Sequence, residues 1–132
     1  MKHLRKGGKF SRKKKQRKAL FKILVGELFL RSKIKTTEAK AKELKALADK
    51  ICGKIKRSFS DSDEEQREVK ILRYMKTIFP KNIEPKLLLE VAKSLPQQKS
   101  GFVRVIKIPA RRSDRAKMAL VEIIKKEKEE KR

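Results

Sequence analysis

Apolar residues recur at helical spacing over most of the chain, and two short runs rich in Val and Ile follow near its end. Phe21, Leu24, Val25, Leu28 and Phe29 stand at i, i+3, i+4, i+7 and i+8, which makes one apolar stripe on a helix. Ser11 suits the N-cap, so the spacing predicts a helix from near Ser11 to about Arg31. Its stripe is confined to the second half. Before Ala19 the helix is basic on every face, and that half should project from the body. Residues 34–36 read as a short strand, after which Thr37 caps a second helix, with Glu38 in its first turn, that runs to about Lys56. Ala41, Leu44, Leu47, Ala48, Ile51, Cys52 and Ile55 share its inner face, with Lys42, Lys45, Asp49 and Lys56 opposite. Gly53 weakens its last turn.

A polar break over 58–63 ends in Ser62-Asp63-Glu64-Glu65, which has capping-box spacing. It predicts a third helix with Val69, Leu72, Met75 and Phe79 inward, ended by Pro80. Pro85 opens a short fourth helix that uses Leu87, Leu88, Val91 and Leu95 and stops before Pro96. Residues 97–100 are a loop. The runs 102–108 and 118–124, bounded by Gly101 and Pro109, read as two strands of a hairpin with a long connection. These elements predict an α/β (α+β) fold in a single domain over 1–124. The domain begins with an extended basic arm over 1–11 and is followed by a charged tail over 125–132. No internal repeat is visible.

Charge changes this picture. Forty Lys and Arg against 16 Asp and Glu give a formal net charge of +24 in 132 residues. Charge of this size implies an anionic partner, either nucleic acid or a membrane surface. No stretch approaches the roughly 20 apolar residues that span a bilayer. Met1-Lys2 does not fit a myristoylation signal, and the apolar residues 21–30 are interrupted by Lys22 and Glu27, unlike a signal peptide. A membrane partner is therefore not expected. The single Cys52 rules out an internal disulfide framework and fits a reducing compartment; on an apolar stripe it reads as a small buried hydrophobe. One histidine, His3, and one distant Cys make no metal site, and no phosphate-binding loop or nucleophile elbow occurs. The expectation is no enzyme, no cofactor, no metal and no small-molecule substrate.

The cations sit on three separate elements. Residues 1–18 carry Lys2, Arg5, Lys6, Lys9, Arg12, Lys13, Lys14, Lys15, Arg17 and Lys18 without an acid, broken by Gly7-Gly8. A second group is Arg31, Lys33 and Lys35, with Lys40 and Lys42 following. The third is Arg111, Arg112 and Arg115 in the strand connection, with Arg104 and Lys107 beside it. Charge spread over several faces suits a folded RNA that surrounds the protein. With aromatic residues at 5% and no Trp, phosphate and 2′-OH contacts should dominate over base stacking. Lysines at a helix start oppose the macrodipole, a conflict that a bound phosphate resolves. The connection arginines suit bidentate pairing with phosphate. The alternative is a free-standing basic nucleic-acid-binding protein, with a membrane-surface protein a distant third.

The residues also resemble one family. Met1-Lys2-His3, Arg5-Lys6, Gly7 and Lys9, then Arg12 and Arg17-Lys18-Ala19-Leu20, are similar to the opening of the bacterial-type large-subunit ribosomal protein L-seventeen family. Ile34-Lys35-Thr36-Thr37 followed by Ala39-Lys40-Ala41-Lys42-Glu43-Leu44 resembles its most characteristic segment. Gly101-Phe102-Val103-Arg104-Val105, Pro109-Ala110-Arg111-Arg112-Ser113-Asp114 and Met118-Ala119-Leu120-Val121-Glu122 look like its last strands and their loop. Gln16 and Lys117 depart from its usual His and Pro, and the acidic insert 60–65 is atypical. The resemblance implies about four helices on a small mixed three-stranded sheet. It implies binding to large-subunit rRNA, mainly its third domain near the polypeptide tunnel exit, a role in subunit assembly, and neighbouring large-subunit proteins as partners. It leaves a cytoplasmic and an organellar ribosome both open. It adds His3, Thr36 and Thr37 to the basic residues as RNA-binding candidates.

Overall fold

The computed structural model describes residues 7–59, 63–96, 98 and 101–125. Helix α1 (Lys14–Arg31) buries Val25, Leu28 and Phe29, while Phe21 and Leu24 are half-buried at the margin of the core. The basic first half stands free of the core, as its pattern predicts. The helix ends where Ser32 takes a left-handed conformation (φ 67°) and its N–H donates to the Leu28 carbonyl at 2.8 Å.

Its start differs from the expectation. Phe10 and Ser11 both have φ of 52°, and Arg12 N–H closes a turn onto the Lys9 carbonyl at 3.1 Å. The cause is Phe10, whose ring packs edge-on against Phe21 at 5.3 Å between centroids. That contact folds the chain back before the helix can begin. Lys13 becomes the N-cap and offers no side-chain bond. The described end of the arm is held to the body as well: Gly8 N–H donates to Glu43 Oε1 at 3.0 Å, with Gly7 at φ 90°. The remaining arm residues, 1–6, and the tail from 126 lie outside the described residues.

Strand β1 (Lys33–Thr37) leads directly into α2 (Glu38–Ser58). Thr37 holds the N-cap position without a side-chain cap; Glu38 N–H instead donates to the Lys117 carbonyl at 2.9 Å. Ala41, Leu44, Ala48, Ile51, Cys52 and Ile55 are buried as read, whereas Leu47 is exposed. Asp49 corrects the reading of a solvent face: it is half-buried, and its Oδ1 accepts Val103 N–H at 2.9 Å. The helix thus fixes the first residue of a strand more than fifty positions away.

Helix α3 (Glu64–Ile78) is capped by Asp63, whose side chain accepts Glu65 N–H at 3.2 Å; Ser62 lies outside the described residues. Met75 and Phe79 are buried as read, but Ile71 leads their row in place of Val69, which is exposed. Helix α4 (Pro85–Ser94) buries Leu88 and Ala92, followed by Leu95, and leaves Leu87 exposed. Both corrections have one cause. α3 and α4 pack on each other as well as on the body, and the i, i+4 row buried between them is set by that contact. Phe79 locks the corner by an edge-on contact with Phe29 at 4.9 Å. Gly26 permits the approach, because a Cβ there would sit 2.8 Å from Ile83 Cδ1 and 3.0 Å from the Pro80 ring.

Strands β2 (Val103–Ile108) and β3 (Met118–Ile123) form the predicted hairpin, but β3 also pairs with β1, giving the order β1-β3-β2. Both pairings are antiparallel, so the sheet is not mixed. The outer strands run the same way, and β3 is inserted between them. Ile34, Thr36, Val103, Val105, Ala119, Val121 and Ile123 face the helices, and α2 lies across β2 and β3. The α+β class holds, with four helices packed on three strands among the described residues.

Cys52 is fully buried and its thiol is pushed up to about 12, by burial first and by Asp49 second. A thiol that stays protonated is a poor nucleophile. The native protein should therefore resist alkylation by iodoacetamide at mildly alkaline pH, and mass spectrometry should show full labelling only in denaturant. Asp49→Ala should lower stability by roughly 1–3 kcal/mol by orphaning the Val103 amide, and Asp49→Asn, which keeps an acceptor, by much less. Urea unfolding midpoints measure the difference.

Candidate nucleic-acid interface

The register across the open face of the sheet builds the first surface. Pairing aligns Lys33, Glu122 and Arg104 in one row, Lys35, Leu120 and Ile106 in the next, and Thr37, Met118 and Ile108 in the third. Side chains alternate across a strand, so all nine lie away from the helices. One end of this face is charged and the other apolar. At the charged end Glu122 Oε2 accepts from Arg104 Nε at 3.0 Å and Nη2 at 2.9 Å. Arg31, which pairs with Glu27 at 2.9 Å, lines the same depression as Lys33 and Arg104.

At the apolar end the chain leaves β2 into the connection 109–117, and this loop is fastened from within. Arg111 donates to Asp114 from Nε at 2.9 Å and Nη2 at 2.6 Å. Asp114 Oδ1 also accepts Ala116 N–H at 3.1 Å. Arg115 N–H reaches the Arg111 carbonyl at 2.7 Å, which requires φ of 55° at Arg115. The Arg111 hydrogen bonds hold the Asp114 carboxyl down at about 2, helped by the Ala116 amide, and Asp114 in turn raises Arg111. The edge of Arg111 read as a phosphate fork is therefore engaged by Asp114. Arg112 and Arg115 are exposed and have no ion pair among the described residues. Lys35, Arg111 and Arg112 meet around one recess at this end.

The second surface lies at the start of α1. Lys9, Arg17 and Lys18 line a cleft of about 970 Å³ between arm, α1, α2 and α3, together with Phe21 and Leu47. Arg12 and Arg17 turn their guanidinium groups onto the Phe10 and Arg12 carbonyls, at 2.9 and 3.5 Å. Lys13, Lys14 and Lys18 point to solvent, and the first turn holds no acid. Four backbone N–H groups at this end thus have neither a side-chain cap nor a countercharge among the described residues.

The candidates do not all converge. Lys2, His3, Arg5 and Lys6 lie outside the described residues. Lys40 is half-buried on the first turns of α2. Thr37 is half-buried in a groove lined also by Phe10, Glu38 and Lys117. Strand alternation puts Thr36 on the inner face opposite Ala119, 9% exposed. Three acids that organise the surfaces, Glu43, Asp114 and Glu122, were not singled out from sequence. Only the i, i+3 spacing of Arg111 and Asp114 carried a signal. Among the described residues no three His, Cys, Asp or Glu side chains cluster as a metal site, and no helix is long and apolar enough to cross a membrane.

Comparison with known proteins identifies the lineage of this arrangement. The family model described as Ribosomal protein L17 matches residues 20–124. The chain belongs to this family. A large ribosomal subunit protein bL17 of Borrelia hermsii is 40% identical over 123 residues, covering 93% of this chain and 94% of its own length. The bL17 proteins of Desulforapulum autotrophicum and Thermotoga maritima are 36% and 34% identical, over 94% and 98% of this chain and 97% and 99% of their own lengths. The match to the L17 family runs from the apolar half of α1 through β3, and so includes the open sheet face and the arginine loop.

The loop latch has a pH signature. A depressed carboxyl contributes stability above its ordinary value, and the contribution is lost as pH falls through the depressed one. The Ala116 amide resonance should therefore titrate with a midpoint near 2 in heteronuclear NMR. A midpoint near the ordinary value of about 3.9 would mean that Arg111 and Asp114 are not paired in solution.

Proposed function

We propose that this protein is a structural constituent of the large ribosomal subunit that binds large-subunit rRNA and stabilises its fold during assembly. The observation that carries the reading is the placement of exposed cations on separate elements of the fold. Lys13, Lys14 and Lys18 stand at the start of α1, Lys33 and Lys35 on the sheet, and Arg112 and Arg115 on the loop, none with an acid partner among the described residues. A free protein gains nothing from such self-repulsion, whereas RNA phosphates folded around it neutralise every surface at once. The names of the relatives, large ribosomal subunit proteins, point the same way.

The roles divide by chemistry. The α1 N-terminus offers free N–H groups and lysines to a phosphate, which removes the conflict with the helix dipole. Arg112 and Arg115 present unengaged guanidinium forks to the sugar-phosphate backbone. Lys33 and Lys35 add charge along the strand. We assign the binding region to the third rRNA domain near the tunnel exit, on the family resemblance, with neighbouring large-subunit proteins as further partners. The protein acts in the ribosome by holding RNA, without catalysis.

Sedimentation of a cell lysate through a density gradient tests the reading. The protein should co-migrate with large subunits, survive DNase, and be released by RNase or high salt. Migration with DNA or membranes would overturn it. Lys14→Gln with Lys18→Gln should leave the fold intact and reduce the magnitude of the log–log salt slope for rRNA binding by roughly 1.5, at about 0.7–0.9 per lost phosphate contact. An unchanged slope would remove the start of α1 from the interface.

A further inference from the structure

At the apolar end of the open sheet face, a recess of about 510 Å³ opens between the strand ends and the arginine loop. Its walls are Ile108, Pro109, Ala110 and Met118, and its rim carries Lys35, Arg111 and Arg112. The apolar surface continues along the sheet through Leu120 and Ile106, the latter 41% exposed. Phosphate contacts alone do not account for this composition. A protein that only neutralised a backbone would place polar side chains here, since an exposed isoleucine gains nothing from a phosphate.

We propose that this recess receives one unpaired, unstacked base of the bound RNA, with the adjoining phosphates held by Lys35 and Arg112. The inference rests on the RNA-binding reading above and assigns a base-sized subsite within it. Three features fit the occupant. The volume falls in the range of small-ligand pockets and accommodates a base with its ribose. Arg111 is held by two bonds to Asp114, which fixes its guanidinium as a planar plate; unpaired RNA bases stack on such planes as they do on aromatic rings. Because that pair is neutral overall, covering it costs less desolvation than covering a lone cation. Lys35 approaches from β1 and Arg112 from the loop, and neither has an ion pair among the described residues, so the rim supplies free positive charge on both sides of an apolar floor. An apolar protein segment would be served by the floor, but the unneutralised cations at the rim favour a ligand with phosphates.

Binding to three synthetic RNA hairpins of equal length tests the subsite: one fully paired, one with a single bulged adenosine, and one with an abasic bulge. The wild-type protein should prefer the adenosine bulge over the other two by about tenfold, toward the low end of what stacking one base is worth. Ala110→Leu, which narrows the recess from an exposed loop position without changing charge, should abolish the preference. It should leave affinity for the paired hairpin and its salt slope unchanged. Asp114→Ala, which frees the Arg111 plate, should reduce the preference in the same way. Equal binding of the adenosine and abasic bulges by the wild type would overturn the proposal, as would a preference that survives Ala110→Leu. Loss of ribosome incorporation by Ala110→Leu without any change in hairpin discrimination would also overturn it, by assigning the recess to a protein neighbour. Failure of the broader reading looks different: all three hairpins would then bind without a steep salt dependence.

Discussion

The fold depends on one packing interaction, the inner face of the sheet against α1 and α2. A chain of net charge +24 repels itself, and the ion pairs seen on its surface are exposed, of a kind worth ~0–1 kcal/mol each. They cannot hold the molecule together. Buried aliphatic and aromatic side chains, each worth about 1.5–3 kcal/mol on full burial, can. Val25, Leu28, Phe29, Leu44, Ile51, Ile55, Val103 and Val121 belong to one continuous cluster, and the α3–α4 corner joins it through Phe79. With this cluster filling the interior, the cations lie at the periphery. The binding surfaces are the outside of this core.

The acids follow a matching logic. They are few, and several position parts of the structure before they neutralise anything. Glu43 holds the base of the arm, Asp49 sets the first residue of β2, and Asp114 shapes the arginine loop. Each accepts a backbone N–H, so each fixes a stretch of chain that would otherwise be free to move with its own charges. The result is a set of cations on prearranged supports. Less ordering remains to be done when a polyanion arrives, and that cost otherwise weakens binding.

Much of this was legible in the sequence, and the failures are instructive. The stripes of α1 and α2 were mostly readable from periodicity, which marks the inward side, although Leu47 is exposed and Asp49 is half-buried. The rows of α3 and α4 were misjudged at Val69 and Leu87 because those helices serve two neighbours, and the inward direction depends on a corner that periodicity does not describe. Ser11 looked like a cap by residue type, but a distant aromatic, Phe21, decides where Phe10 and hence Ser11 lie. The position of β3 between two strands could not be read, since pairing with β1 depends on partners far apart in sequence. Of the surfaces, the charge was evident from counts. The Asp114 latch and the recess were not, because a left-handed residue at Arg115 and the approach of Lys35 to the loop are products of the folded state.

The middle strand is also the last described element of the fold. During synthesis on the ribosome, β1 leaves the tunnel early but has no hydrogen-bonding neighbour until β3 follows, three helices and a strand later. The sheet therefore closes only after β3 has been made, as expected for a topology rich in non-local pairing. The cationic start of α1 is meanwhile already made, so a nascent copy exposes its polyanion-attracting half before its body can mature. Loss of the segment containing β3 would not trim an edge; it would split the sheet and strand both remaining strands.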